Sequence, residues 1–372
     1  MKIEHITVYP IALTLKHPFK TAHGLTKQRP ITLIKIMLSN HNWGIGEVQS
    51  FADTAYVAET QALSQQNLTQ ILPKLIGLEF KEPSELIKKL ANLTPYSFVK
   101  AAIEMAIYDV YGKITEQSLQ MMIGGQGRAV KVGRAIGLQS DNHILQNKVD
   151  DYVNQGYERI KLKIDKATDL AKLAQLIQRY PQVYFSLDAN GSWHQNDISK
   201  IMYLDQMGIS LLEQPFGEKE LALHYQVQNN LKQLKLSLDE SINSLADVNN
   251  VLTKYQHPIT RALTIKQGKL GGITAAKAAI NMAEQYQTMA WIGGMLTTGV
   301  GRAVDLALSS LPTVHNFPGD NGSNADYFEN DIINEPLSVI DGKMQVPDQP
   351  GLGVSLNWSQ INEALVADIK MY

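Results

Sequence analysis

The chain has no cysteine among its 372 residues. That absence excludes disulfides, thiolate nucleophiles and zinc–thiolate centres, and it fits a reducing compartment. Neither sign of charge dominates: 34 Lys and Arg stand against 36 Asp and Glu, and a formal net charge of -2 leaves no electrostatic footprint for nucleic acid. No window carries the roughly 18 uninterrupted apolar residues that a bilayer-spanning helix needs. The N-terminal stretch is interrupted by charge and proline before a signal-peptide core forms. The expectation is a cytoplasmic protein with neither nucleic acid nor membrane as partner. Dinucleotide-binding Gly-x-Gly-x-x-Gly, P-loop and Gly-x-Ser-x-Gly segments are also missing, and the 9 histidines show no metal-ligand spacing. Catalysis, if present, falls to carboxylates and lysines.

What is present is a 44% apolar chain, long enough for a barrel of roughly 200 to 250 residues beside a smaller unit. Residues 1 to 50 read as strands, with Ile34, Ile36 and Leu38 alternating and a polar turn at Ser39 to Asn42. From Ala55 to Glu116 the pattern is helical. Pro83 and Ser84 open one segment, and Phe98, Ala102, Met105 and Ala106 make one apolar helix face. After the Gly-Gly-Gln-Gly run at 124 to 127, short apolar runs alternate with amphipathic stretches. Candidate strands are Val130 to Ile136, Arg159 to Ile164, Val183 to Leu187, Ile209 to Leu212, Leu234 to Leu238, Ala262 to Ile265 and Met289 to Ile292. A weaker eighth lies at Thr313 to Phe317. Repeats of about 25 residues fit βα units of a parallel barrel better than an open sheet.

Barrel active sites lie at the C-terminal ends of the strands, so the polar residue closing each run is informative. In order these are Lys163, Asp188, Glu213, Asp239 and Lys266, separated by 25, 25, 26 and 27 residues. Each therefore occupies the same place in its repeat, and all five point into one mouth. Three convergent carboxylates repel one another unless a cation sits among them, and hard oxygen donors suit Mg²⁺ or Mn²⁺. Lys161 shares a strand face with Lys163, and its like charge, with the dication, should lower the Lys163 pKa toward that of a general base. A divalent ion beside an enediolate would stabilise the charge left when a proton is removed α to a carboxylate. A lone strand lysine more often protects an edge, and a lone strand-end acid more often caps a helix. Those readings would have to hold at five consecutive strand ends. Asn190 and Glu240 are either partners that orient a ligand or lysine, or simple caps. Gly293-Gly294 either admits backbone to a ligand or forms a tight turn, and Pro318-Gly319-Asp320 is either an anion-binding turn or a plain loop.

At these residues the chain resembles the enolase superfamily, in its muconate-lactonising-enzyme-like branch, and there the o-succinylbenzoate synthase and N-acylamino acid racemase group. The match runs through Pro18-Phe19-Lys20-Thr21, Lys161-Leu162-Lys163, Asp188-Ala189-Asn190, Glu213-Gln214-Pro215, Leu238-Asp239-Glu240-Ser241, Ile265-Lys266, Gly293-Gly294-Met295, Gly301-Arg302-Ala303 and Pro318-Gly319-Asp320.

The resemblance implies an α/β fold: a (β/α)7β TIM-like barrel (126–320) under an α+β capping domain (1–125, completed by 321–372). It implies that Asp188, Glu213 and Asp239 bind Mg²⁺ (or Mn²⁺), that Lys163 is the base, and that Lys266 either stabilises the enediolate or acts as the opposite-face acid/base. Lys161 would hold the carboxylate of a small-molecule substrate. Thr21, His23, Asn190, Gly293, Gly294 and Met295 would complete the pocket. The implied activity is o-succinylbenzoate synthesis on the way to menaquinone, with N-acylamino acid racemisation by the same lysines as the alternative. A dipeptide epimerase, a muconate cycloisomerase and a non-catalytic barrel are weaker readings, and closed homo-oligomers are common among such barrels. Three positions depart from the pattern and are expected in or near the pocket. Gln267 (with Lys269) stands where proline and arginine are usual, Thr297 where an acid is common, and Arg134 where a small residue is usual.

Overall fold

In the computed structural model, residues 1–21, 24–139, 141–254 and 261–372 are described, with side chains left out of the description for 18–26. His23 lies outside the described residues, and Thr21 is described only as backbone. Long strands β1 (Ile3–Thr21) and β2 (Gly24–Leu38) pair antiparallel, and β3 (Trp43–Val48) adds to β2 after the turn expected at Ser39 to Asn42. Helices α1 (Gln61–Leu75), α2 (Pro83–Leu93) and α3 (Ser97–Thr115) cover this sheet. Their apolar faces bury Leu68, Leu72, Leu86, Leu90, Phe98, Ala102 and Ala106 against Ile6, Ile34 and Ile36. Gly44 and Gly46 let α3 lie on β3, since a Cβ at either would strike the carbonyl of Ala106 or Ala102.

After α4 (Leu119–Ile123) and the short β4 (Ala129–Lys131), seven strands run parallel in ring order. They are β5 (Arg134–Ile136), β6 (Arg159–Lys163), β7 (Tyr184–Asp188), β8 (Leu211–Glu213), β9 (Lys235–Leu238), β10 (Arg261–Ile265) and β11 (Met289–Ile292). Between them run α5 (Asn142–Asn154), α6 (Leu170–Gln178), α7 (Ile198–Gln206), α8 (Leu221–Gln228), α9 (Leu245–Lys254), α10 (Gln267–Leu270) and α11 (Ile273–Gln285), with α12 (Gly299–Ser309) following β11. The outward faces of the strands, such as Ile160 and Leu162, pack on Val149 of α5 and Leu173 and Leu176 of α6. The fold is the capped TIM-like barrel.

The eighth stave is not where the apolar pattern places it. Thr313 to Phe317 form consecutive turns, closed by bonds such as Val314 N to Leu311 O at 3.0 Å, and Phe317 folds back against Trp291 and Tyr184 in the barrel floor. Closure falls instead to Gly319 and Asp320. Gly133 N donates to Gly319 O at 2.6 Å, and Asp320 N donates to Ile292 O at 3.0 Å, tying the start of the sheet to its end. The tail then divides. The hairpin of β12 (Val339–Ile340) and β13 (Lys343–Gln345) pairs with β4, and after α13 (Trp358–Glu363) the last strand, β14 (Lys370–Met371), pairs with β1.

Candidate active site

The side-chain period of two on a strand sends Arg159, Lys161 and Lys163 of β6 into the barrel interior. Parallel register then sets Lys163 level with Asp188 and Asp188 level with Glu213. Asp239 and Lys266 follow the last residues of β9 and β10. These side chains meet. Lys163 Nζ donates to Asp188 Oδ2 at 2.7 Å and to Asn190 Oδ1 at 2.8 Å. Lys161 Nζ lies 3.3 Å from Asp188 Oδ2 and 3.2 Å from Glu213 Oε1. Lys266 Nζ donates to Asp239 Oδ2 at 2.7 Å. Asp188 thus stands between the two β6 ammoniums and offsets the repulsion expected between them.

Four further participants, Asp320, Arg159, Tyr56 and Lys269, had no role in the site assigned from the sequence. Asp320 on the closing stave accepts from Lys161 Nζ at 2.6 Å and from Arg159 Nη1 at 2.5 Å. Tyr56, from the loop after β3, donates its hydroxyl to Asp239 Oδ1 at 2.7 Å and receives Lys266 Nζ at 2.7 Å. Lys269 Nζ donates to the Asp239 carbonyl at 2.5 Å. Of these, Asp320 carried a signal in the Pro-Gly-Asp run at the end of the ring, and Lys269 stood out with Gln267 as a departure beside the pocket. Asn190, with φ of 44°, bridges Lys163 to Glu240, its Nδ2 donating to Glu240 Oε1 at 2.9 Å.

Charge balance follows from these contacts. Burial works against ionising every group here, but nearby lysines overcome it at Asp188 and Asp239, which are held below the usual carboxylate range. Burial likewise opposes the charged form of Lys161, and Asp320, Glu213 and Asp188 outweigh it, so its pKa rises well above the ordinary value. At Glu213 nothing outweighs burial and the adjacent Asp188, and its carboxyl is pushed up to about 8. Of the three strand-end carboxylates, Glu213 is therefore the one that burial and the adjacent Asp188 push toward its neutral form.

That observation tests the fit of a divalent ion. The donor set is all oxygen, supplied by three successive strands, and 0 to 1% exposed at Asp188, Glu213 and Asp239. Such donors suit a hard dication, whose charge would favour ionised Glu213. As the side chains stand, lysine ammoniums engage the oxygens, and among the described residues no group of three acidic or histidine side chains is placed to hold a metal ion.

The remaining candidates separate. Gly293 faces the interior beside Lys266, where a Cβ would come within 2.9 Å of the lysine Cε. Gly294 presses on the Asp320 carbonyl. Met295 is buried in the apolar cluster that also holds Phe98 of the cap. Arg134 is not in the pocket. It pairs in register with outward-facing Ile160, binds Asp326 at 2.8 Å and stacks over Tyr327 and Tyr152 at 4.5 and 5.1 Å. Gln267 and Thr297 lie at the contact between cap and barrel, both hydrogen-bonded to Gln49.

Fold and site together define a capped (β/α) barrel enzyme with lysines and carboxylates gathered at the strand ends. Residues 3–124 match the family model of the mandelate racemase / muconate lactonizing enzyme N-terminal domain, and residues 145–360 match the enolase C-terminal domain-like model. The chain is 33% identical to the o-succinylbenzoate synthase of Enterococcus faecalis over 97% of both chains. It is 31% identical to the N-succinylamino acid racemase of Thermus thermophilus over 96% of this chain and 95% of that one. A solved enolase-superfamily structure from Listeria innocua superposes with a TM-score of 0.94 at 30% identity, covering 100% of this chain and 99% of the other. The chain belongs to the enolase superfamily, in its muconate-lactonising-enzyme-like branch.

Proposed function

We propose that this protein is a divalent-metal-dependent o-succinylbenzoate synthase, acting on 2-succinyl-6-hydroxy-2,4-cyclohexadiene-1-carboxylate in the cytoplasm as a step of menaquinone biosynthesis. The observation that carries the reading is the pair of lysines on β6 and after β10, four staves apart, each tied to a strand-end carboxylate. Full-length similarity to synthases supports the substrate.

In this reading Asp188, Glu213 and Asp239 hold Mg²⁺ or Mn²⁺. When bound, the ion supplies fixed positive charge against the negative charge that grows on the substrate carboxylate. Lys163, in its neutral form, takes the proton from the carbon next to the carboxylate, and the resulting ammonium passes a proton to the departing hydroxyl, which leaves as water. Lys266 faces the developing enediolate as an ammonium. Lys161, held by Asp320 and Glu213, binds the substrate carboxylate, and Asn190 orients Lys163. Gly293 leaves room at the wall beside Lys266. The cap, residues 1–125 with 321–372, closes over the barrel, 126–320.

A second reading is racemisation of N-succinylamino acids, which needs two acid/base groups on opposite sides of one carbon. The lysine pair favours it, as does similarity to N-succinylamino acid racemases. The deciding experiment incubates the protein with the cyclohexadiene substrate in Mg²⁺ or EDTA and follows loss of diene absorbance. Turnover that requires both the metal and Lys163 establishes the synthase; none with wild type in Mg²⁺ rejects it.

A further inference from the structure

Gln49 directly follows β3 and is 1% exposed. Its two amide ends reach different barrel loops: Nε2 donates to Thr297 Oγ1 at 2.9 Å, and Oε1 accepts from Gln267 Nε2 at 2.8 Å. Gln267 is the neighbour of Lys266, and Thr297 lies two residues beyond Met295. One cap side chain therefore joins the loop behind Lys266 to the loop behind Gly293. These are also two of the positions where the sequence departs from its family's pattern, so the departures are the two ends of one bridge.

The bridge is built in. Arg29 donates Nη1 to Ser50 O at 2.7 Å and Nη2 to the Gln49 carbonyl, while Gln61 Nε2 donates to Val48 O at 2.8 Å, fixing the backbone that bears Gln49. Arg29 Nε also binds Leu296 O at 2.7 Å, gripping the same barrel loop. Space is reserved on both sides. A Cβ at Gly268 would lie 2.8 Å from Gln49 Oε1, and one at Gly301 would strike Gln49 Nε2 and Thr297 Oγ1. Beyond Thr297, whose hydroxyl donates to Glu47 Oε1 at 2.5 Å, the Glu47 carboxylate accepts from Thr298 N and Gly301 N at 3.2 Å at the start of α12. Donors therefore run in one direction, Gln267 to Gln49 to Thr297 to Glu47, and a buried chain of this kind polarises each bond in turn.

We infer that Gln49 is a positioning residue that holds the two barrel loops in register, and so sets how well Lys266 serves its side of the substrate while leaving Lys163 untouched. The second half rests on the proposed two-lysine chemistry. The mechanical reason is the close fit at Gly293, where Lys266 has no slack if one loop moves against the other. Lys163 has no such exposure, since Asp188 and Asn190, which bind it, are barrel residues.

The test uses Gln49→Met, similar in shape but unable to bridge, and Gln267→Leu, which removes one end only and stands in if the first fails to fold. Two readouts are taken on the full chain. The first is backbone amide hydrogen exchange in 267–272 and 295–301. The second is α-deuterium incorporation from D₂O into each enantiomer of N-succinylphenylalanine, which reports the two lysines separately. The inference expects faster amide exchange in both segments at once. It also expects deuteration by Lys266 to fall about tenfold, the size of one lost buried hydrogen bond at a reacting group, with Lys163 within about threefold. Equal losses on both faces, or unchanged amide exchange, overturn it. Wild-type protein that deuterates neither enantiomer and dehydrates nothing rejects the proposed function instead, and the amide exchange still decides whether Gln49 links the loops.

Discussion

The two lysines at the barrel mouth are held by different parts of the molecule. Lys163 is bound by Asp188 and Asn190, and Asn190 in turn by Glu240, all from the βα repeat. Lys266 is shared: Asp239 binds it from the barrel, and Tyr56 binds it from the cap, with the tyrosine ring 4.7 Å from its ammonium. One lysine is placed by the repeat alone, whereas the other is placed only when the cap is seated. An architecture of this kind keeps the base constant and lets the cap tune its counterpart.

The sharpest way to break this comparison is to remove each lysine. Lys163→Ala should abolish dehydration and racemisation together, by about 10³-fold or more, because no other group takes the proton. Asp188→Asn, or EDTA, should do the same and should abolish Mg²⁺ binding by calorimetry. Lys266→Ala should remove racemisation as fully but reduce dehydration by less, about 10²- to 10³-fold, the usual loss on deleting one electrostatic stabiliser. If the two lysine variants lose both reactions equally, Lys266 is as indispensable as the base and the asymmetry fails.

Tyr56→Phe probes the cap's share directly. It keeps the ring beside Lys266 but removes the hydroxyl that joins Asp239 to the lysine. Racemisation should fall about tenfold and dehydration by no more than about threefold, with kcat rather than KM carrying the change. A loss confined to KM would make Tyr56 a wall of the pocket and nothing more.

The same division explains what was legible beforehand. Lys163, Asp188, Glu213, Asp239 and Lys266 could be read because a βα repeat turns even spacing in sequence into even spacing around a ring. Asp320 escaped because its stave is a single bridge with no apolar run, and the apolar residues upstream went into turns and the barrel floor. Tyr56 and Gln49 reach Lys266 and Gln267 across 210 and 218 residues, separations that carry no period at all. Arg134 was misplaced because alternation says that neighbouring strand residues face opposite ways, but not which way the first one faces.

The smallest effect expected on activity, and the clearest on stability, belongs to Glu104. This cap residue on α3 accepts from Thr274 N at 2.7 Å and Thr274 Oγ1 at 2.6 Å, capping α11 on the Lys266 side of the barrel. Burial pushes its carboxyl up to about 7, against the favourable bonds from Thr274. The folded protein therefore keeps this proton between about pH 4.5 and 7, where the unfolded chain has released it. Its contribution to stability falls as pH rises through that window and is level above it. A shift of this size corresponds to roughly 3 kcal/mol. Glu104→Gln retains an acceptor for Thr274 but cannot titrate. Urea unfolding at pH 5 and pH 8 should thus show wild type losing about 3 kcal/mol more than the variant over that interval. Dehydration should stay within about threefold, since the cap of α11 is kept. Equal pH dependence in the two proteins would mean that Glu104 is ionised throughout, and that the cap grips the Lys266 side through a fixed charge.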